Sequence, residues 1–362
     1  MASTNVRVGL FLQPIHPPEH HPGVTLHDDL NLMVELDRLG FHEAWIGEHH
    51  STGWETLPSP AAFIAAAAER TRSLRLGSGV VALPQHHPLV VAGTYSQLDH
   101  QTRGRAMLGV GPGGGLPSDP LTFGLSPERL RDRFIERFDV LMRLWGSEEP
   151  VTIQGDGFEM HEALLQVKPH TQPHPEMAIV CGMNEPSLTR IGQHGLRWLV
   201  GVGPERFDEA WQIAQAGAEH AGRTADRQQA TIPVTAFVAD SEEQAQDQIA
   251  AGALRERFEF ALGVNAKPGN GMGEDAWLSH LIAQPTSLIG SPNMVADKLA
   301  ALLEATGAGG VMVTHKTWAG PTATLESYGR LMREVVPKVT GHTARLQQAA
   351  HAASRLNQNP SV

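Results

Sequence analysis

The sequence predicts an α/β protein with a (β/α)8 barrel, the TIM-barrel fold. Eight short apolar segments alternate with segments of helical periodicity, and strands separated by helices form parallel crossover units. Eight such units close a barrel, whereas a doubly wound sheet, the structural alternative, usually has fewer strands. The predicted strands cover residues 6–12, 44–47, 74–83, 106–110, 177–180, 198–200, 232–238 and 311–314.

The segments between these strands carry helix signals. An apolar face with helical spacing runs from His27 to Gly40, and glycine is a typical stop at a helix C-terminus. Pro60 begins an alanine-rich helix at a position that tolerates proline. A further helix is predicted from Pro88 to Leu98.

Two insertions interrupt the repeat. The first contains a charged amphipathic helix at 126–145 and a hairpin at 151–167. The second contains a Gly- and Pro-rich stretch at 266–285 that disfavours a helix and is interpreted either as a lid or as a disordered loop. The sequence predicts a single domain over residues 1–340 and a C-terminal tail over 341–362. The predicted insertions cover about 114–167, after strand four, and 256–290, after strand seven.

Composition excludes several classes of protein. The net charge of −11, from 28 Lys+Arg against 39 Asp+Glu, argues against binding to a nucleic-acid backbone. The single cysteine, Cys181, excludes an internal disulfide framework and a cysteine-based zinc site. No run approaches the ~18 apolar residues of a membrane span, and the first residues do not resemble a signal peptide, so the predicted compartment is the cytoplasm.

Glu48, His49 and His50 follow strand two, at the end of a barrel strand where such folds keep their chemistry. Because successive strand residues face opposite ways, the adjacent pairs His49–His50 and His86–His87 are poor chelates, and no metal site is predicted. Proton transfer fits His49 better, because imidazole titrates nearest to neutral pH. Glu48 would orient or charge-balance that ring. The alternative is a buried, hydrogen-bonded structural histidine.

Three further segments are typical of ligand contact. Asn184 and Pro186 indicate a helix start after strand five, where free N–H groups bind phosphate, although many helices begin this way without a ligand. Gly79 within strand three indicates close contact with a flat ligand or, equally, a packing role. The glycine run around Gly111 lets backbone approach a ligand, but it lacks the spacing of a dinucleotide loop.

Together these motifs resemble the bacterial luciferase-like flavin-dependent monooxygenases, most closely the limonene monooxygenase type. The resemblance runs from Val6 to about Val336 and weakens in both insertions. It rests on the segments Ala44–His50, Ala65–Thr71, Leu76–Pro84, Leu98–Arg105 and Leu108–Gly113.

The resemblance implies a cofactor and partners. Reduced FMN, supplied by a separate NAD(P)H:flavin reductase, would react with O2 to a C4a-hydroperoxide that oxygenates a small hydrophobic substrate. Relatives are commonly homodimers through the early helices. Hydride transfer with coenzyme F420, a non-catalytic flavin-binding protein and a metal hydrolase stay open as alternatives.

The resemblance also implies roles for single residues. His49 would act near the flavin as acid/base or peroxide stabiliser, with Glu48 as its support. A non-proline cis peptide bond would join Gly79 and Val80 beneath the flavin ring. Some relatives carry an arginine where this chain has Pro112. The remaining expected contacts are Gly111, Met183, Asn184 and Ser187 for the cofactor, and His86, His315 and Trp318 for the substrate pocket.

Overall fold

A computed structural model describes residues 6–113, 115, 118–251, 260, 264, 273–314 and 319–358 of the chain. Eight parallel strands form a closed barrel, which confirms the predicted (β/α)8 fold. The strands are β1 (Arg7–Leu12), β2 (Glu43–Ile46), β3 (Arg75–Ser78), β4 (Val81–Ala82), β5 (Ala106–Gly111), β6 (Val151–Gly155), β7 (Phe158–Ala163), β8 (Glu176–Cys181), β9 (Arg197–Val200), β10 (Ala230–Val238), β11 (Ser287–Gly290) and β12 (Gly310–Val313).

The barrel order is β1, β2, β3, β5, β8, β9, β10 and β12, and β12 pairs with β1. Leu10 of β1 lies opposite both Ala44 of β2 and Val313 of β12, so the sheet closes on itself. Because all eight strands are parallel, their carboxyl ends and the loops that follow them meet at one mouth. The single strand predicted at 74–83 is in fact β3 and the short β4, which pairs separately with β5.

Helices connect the barrel strands. Ser59 caps α2 (Pro60–Arg70) by accepting a hydrogen bond from the Ala62 N–H, and Gly40, with φ of 84°, ends α1 (Pro22–Leu39). Helix α1 begins at Pro22, before the predicted start at His27. The helices are α1 (Pro22–Leu39), α2 (Pro60–Arg70), α3 (Pro88–Thr102), α4 (Ser118–Thr122), α5 (Leu130–Gly146), α6 (Glu185–His194), α7 (Phe207–His220), α8 (Glu242–Ala251), α9 (Glu274–Ile282), α10 (Pro292–Thr306), α11 (Pro321–Arg330), α12 (Val336–Val339) and α13 (His342–Gln358), with a π-helical turn at Leu331–Val335 between α11 and α12.

The barrel interior is packed with side chains rather than hollow. Trp45 and Met107 are fully buried there with smaller apolar residues. Near the amino ends of the strands the Arg197 guanidinium donates to both carboxylate oxygens of Glu43 at 2.7 Å and lies over the Trp45 ring. The floor of the barrel is therefore closed, and open space is left at the mouth.

Both predicted insertions contain structure of their own. The first holds α4, α5 and the antiparallel hairpin β6–β7, as the hairpin prediction required. In the second, α9 covers residues 274–282, so the expectation that 266–285 is not helical is wrong for that part. Strand β11, which the sequence did not predict, pairs in parallel with the second half of β10. Residues 266–272, the glycine-rich first part of the predicted lid, lie outside the described residues.

Within the described part of the chain, no helix is long and apolar enough to cross a membrane.

Candidate active site

His49 lies just beyond β2, with its imidazole between two carboxylates. Its Nδ1 is 2.7 Å from Asp119 Oδ2, and its Nε2 is 3.3 Å from Glu55 Oε1. Both carboxylate side chains are buried, whereas the histidine ring is about one-fifth exposed. The ring is thus fixed on both sides and keeps access to the mouth. Its partners are Asp119 and Glu55, so the predicted support from Glu48 is wrong.

Glu48 turns to a different pair of histidines. One carboxylate oxygen, Oε1, is 2.9 Å from His50 Nε2 and 2.5 Å from His86 Nε2. Burial alone would raise the pKa of Glu48, but the hydrogen bonds from the two imidazoles hold it below its ordinary value. The same hydrogen bond raises the pKa of His50. At neutral pH the Glu48 carboxylate is therefore ionised although its side chain is almost fully buried.

The path of the chain after β2 explains why Glu48 and His49 face in different directions. Strand β2 ends at Ile46, and Glu48 and His50, two residues apart, point to one side while His49 points to the other. The loop before α3 brings His86 to Glu48, and the ring of Phe123 meets the edge of His50 at 4.9 Å. His86, which was expected in the substrate pocket, thus lies in the Glu48 cluster.

A cavity of about 310 Å³ opens beside these side chains at the carboxyl ends of the barrel strands. The peptide bond between Gly79 and Val80 is cis, as the resemblance implied. Several of the lining residues are glycines or small apolar residues, which let a ligand approach the backbone closely. Among the lining residues are Glu48, His49, Gly79, Val80, Gly113 and Asp119.

The predicted Gly111 contact is displaced by two residues. Gly111 lies in β5, where an added Cβ would meet Val180 Cγ1 at 2.7 Å, so it needs to be glycine for packing. Pro112 and Gly113 line the cavity instead. Backbone after β5 therefore does approach the cavity, one to two residues later than the sequence placed it.

The helix start after β8 follows directly on residues that line the cavity. Asn184 caps α6 by accepting a hydrogen bond from the Ser187 N–H, as predicted for a helix start. The residues that line the cavity there are Cys181, Gly182 and Gly201, while Met183, Asn184 and Ser187 follow just beyond them. Gly182 packs closely on Gly201, whose carbonyl an added Cβ would meet at 3.0 Å. Two loops thus converge on the part of the cavity next to the predicted phosphate contacts.

Charge around the cavity is acidic. Glu48 and Asp119 line it, and among the described residues no lysine or arginine does. An anionic group bound here would rely on backbone N–H groups and the α6 helix start.

Cys181 lines the same cavity but is unsuited to nucleophilic chemistry. Burial raises the pKa of its thiol to about 12. The thiol is therefore protonated at neutral pH, and the thiolate is the form that reacts.

The sequence could not find two of the residues that hold His49. Asp119 comes from the short helix α4 in the first insertion, and its one local signal is its place in the first turn of a helix after a glycine run. Glu55 is brought to the site by an antiparallel bridge with Ile15. The predicted pocket residues His315 and Trp318 lie outside the described residues.

Fold and site together define the class of protein: a (β/α)8 barrel enzyme with a cavity at the carboxyl ends of its strands, beside a histidine held by two acids. A family model of luciferase-like monooxygenases matches residues 6–309. The chain therefore belongs to the luciferase-like monooxygenase family, which confirms the predicted family and enzyme class, a flavin-dependent monooxygenase.

Individual relatives match over nearly the whole chain. The chain is 39% identical over 345 residues to 4-hydroxyprotoasukamycin monooxygenase of Streptomyces nodosus subsp. asukaensis, which covers 93% of each protein. It is 36% identical over 342 residues to limonene 1,2-monooxygenase of Rhodococcus erythropolis, covering 93% of this chain and 87% of that protein. The solved oxygenating constituent of 3,6-diketocamphane monooxygenase of Pseudomonas putida, in complex with FMN, has a TM-score of 0.76 and 24% identity, covering 92% and 99% of the two chains.

Proposed function

We propose that this protein is the oxygenase component of a two-component monooxygenase that uses reduced FMN and O2 to oxygenate a small hydrophobic compound. The observation that carries this proposal is His49, held by Asp119 and Glu55 at the wall of a cavity lined in part by glycines and other small residues. When bound, FMN supplies the reaction with oxygen, while the protein supplies position, dryness and proton transfer.

The cavity residues fit the two ends of FMN. Gly79, Val80 and Gly113 offer flat contact for the ring system, and the loop at Cys181 and Gly182 leads to the α6 helix start for the phosphate. The His49 ring, about one-fifth exposed, lines the same space. In the proposed reaction His49 gives or takes the proton, and Asp119 and Glu55 keep its ring in place.

The acidic lining supports a separate reductase. A phosphate held without lysine or arginine from the described residues is bound weakly, because charge-assisted bonds are roughly twice as strong as neutral ones. Reduced FMN then enters and leaves with each cycle, which requires a second protein to deliver it. F420 carries further carboxylates on its tail, and a chain of net charge −11 with an acidic cavity disfavours it. Relatives named for terpene-derived compounds support a hydrophobic substrate.

The test begins without a substrate. The protein is mixed anaerobically with reduced FMN or reduced F420, and then with oxygenated buffer in a stopped-flow spectrometer. We expect saturable binding of reduced FMN, and return of oxidised flavin through a delay that His49→Ala shortens. The matched control is His100→Ala, an exposed histidine on α3 that bonds the Lys168 carbonyl. Tight binding of F420 with no delay on FMN would overturn the proposal in favour of hydride transfer.

The second test identifies the reaction. The protein is incubated with FMN, NADH, a generic flavin reductase and a panel of terpenes, cyclic ketones and quinone-like compounds. Products are read by a mass increase of one oxygen atom. In a further run the reductase is separated from the protein by a dialysis membrane. An equal yield of product there shows that reduced FMN diffuses freely between the two proteins. Loss of product indicates direct transfer of FMN within a complex.

The proposed homodimer is tested separately by analytical ultracentrifugation. The early helices α1, α2 and α3 pack side by side, and Ala62 and Ala66 lie exposed on α2. Small exposed side chains let a second helix approach closely. Ala66→Arg should therefore shift the protein to monomer if this face is the interface.

A further inference from the structure

A second cluster of chemical groups lies beside His49 and its two acidic partners and is not used by the proposed reaction. It consists of Glu48, His50 and His86, whose ligand atoms all lie within 4.8 Å of one another. The two histidines come from different loops, one after β2 and one before α3. The barrel itself therefore holds the three groups together, rather than a single flexible segment.

One oxygen of the Glu48 carboxylate accepts no hydrogen bond from the described residues. Glu48 Oε1 receives both imidazoles, while Oε2 is buried and has no hydrogen-bond partner among the described residues. A buried carboxylate oxygen left alone is costly, and a bound cation would satisfy it.

The cluster is closed on the protein side and open on the other. The Glu48 side chain is 1% exposed, whereas His50 and His86 are 22% and 30% exposed. A cation can thus enter past the imidazoles and keep a water ligand on its solvent side. Charges of both signs lie near the cluster. Asp119 contributes a negative charge. The Arg137 guanidinium contributes a positive charge and donates a hydrogen bond to the His86 carbonyl.

The donor set selects the kind of ion. Two imidazole nitrogens and one carboxylate suit Zn²⁺ and its neighbours Co²⁺, Ni²⁺ and Cu²⁺, whereas Mg²⁺ and Ca²⁺ prefer oxygen ligands only. The sequence argument against a metal concerned adjacent histidines, and it holds for His49 and His50, which face apart. That argument does not apply to His50 and His86, because these two residues are not adjacent and the fold brings both to the Glu48 carboxylate.

We propose that Glu48, His50 and His86 form a binding site for a divalent transition-metal ion of the zinc class at the rim of the cavity. Binding replaces the two hydrogen bonds to Glu48 and releases the protons on the histidine Nε2 atoms. Because Glu48 also lines the cavity, the ion sets a positive charge beside the bound cofactor. The site is independent of the proposed function, since its three ligands and their geometry do not involve His49.

The experiment uses the full chain after dialysis against EDTA. Zn²⁺ is titrated calorimetrically into the protein and into His50→Asn, His86→Asn and His100→Asn variants. His100 is the matched control, because its ring lies 5.5 Å from that of His170 as another surface imidazole pair. We expect one site per chain, weakened at least about 10-fold in the two cluster variants and unchanged in His100→Asn.

A second readout does not depend on the variants folding. Co²⁺ added to the unmodified protein should give intense visible bands of a four-coordinate ion, and Zn²⁺ should displace them. A weak spectrum like that of aqueous Co²⁺ would overturn the proposal. So would Zn²⁺ binding that His86→Asn leaves unchanged, or that His100→Asn weakens equally, because binding would then be adventitious at surface histidines.

Discussion

Asp119 Oδ2 lies 2.7 Å from His49 Nδ1, although the two residues are 70 positions apart in the chain. This contact fixes the orientation of the imidazole, with Nδ1 toward Asp119 and Nε2 toward Glu55. The first insertion thus completes the site of the barrel: α4 carries the group that orients a histidine at the end of β2.

The first prediction concerns Asp119→Asn. The amide can donate as well as accept a hydrogen bond, so it holds the His49 ring less strictly in one orientation. The delay before oxidised flavin returns should therefore shorten, and product yield per reduced FMN should fall about 10-fold or more. The loss should stay below the ~10²–10⁴ typical of removing the acid/base group itself. A merely structural role would leave the pH profile of the flavin reaction unchanged, whereas a positioning role shifts it. The control is Asp208→Asn, whose carboxylate is exposed and pairs with Arg227.

The same contact marks how far the sequence predicted the site. Strand ends are local features, so Glu48 and His49 could be placed at the barrel mouth from periodicity alone. Their partners depend on where insertions fold back, which no local pattern records. Adjacency suggested that Glu48 supports His49, but a chain leaving a strand alternates its side chains, and Glu48 reaches His50 and His86 instead.

The fold was more predictable than the site because eight β/α units repeat the same signals. Strand β11, the parallel partner of β10, was missed because it is only four residues long. It lies between a Pro-Thr turn and a Ser-Pro helix start, and four residues are too few to show the hydrophobic periodicity of a strand. Helix α9 was missed because the Gly-rich run before it dominated the interpretation of that insertion.

The second prediction concerns the buried ion pair in the barrel floor. Glu43→Gln should lower the free energy of unfolding by about 3–5 kcal/mol, because it leaves the Arg197 guanidinium without its buried counter-charge. Urea unfolding followed by fluorescence measures this. Glu176 also contacts Arg197, at 3.1 Å, but its side chain is 30% exposed, so Glu176→Gln should cost about 1 kcal/mol or less. Equal losses in the two variants would contradict the burial argument.

The third prediction concerns acid stability. Burial lowers the pKa of His174, which lies 6.0 Å from the Trp145 ring in the loop before β8. The unfolded chain therefore takes up this proton first as the pH falls, and stability is lost below about pH 6.5. His174→Gln should lose less stability than the unmodified protein between pH 7.5 and 5.5. His161→Gln, at an exposed histidine of β7, should lose as much as the unmodified protein. Parallel pH curves for His174→Gln and the unmodified protein would refute the assignment.

The fourth prediction links helix packing to the cofactor end of the cavity. Helices α6 and α7 approach so closely at Gly192 that an added Cβ would lie 1.8 Å from the Ala214 carbonyl oxygen. Gly192→Ala must push α6 away from α7, and the α6 start lies at the end of the cavity assigned to the phosphate. We therefore expect both a lower melting temperature and weaker binding of reduced FMN, read by fluorescence titration.

The matched control for Gly192 is Gly93, in the interior of α3, where an added Cβ meets nothing within 4 Å. Gly93→Ala should stabilise the protein by about 0.5–1 kcal/mol, because alanine loses less backbone entropy in a helix. It should leave FMN binding unchanged, since α3 does not contribute to the α6 end of the cavity. If Gly192→Ala lowered stability but bound reduced FMN as tightly as Gly93→Ala, the α6 start would not hold the phosphate. The anion would then depend on the loops at Gly113 and Gly201, which also line the cavity.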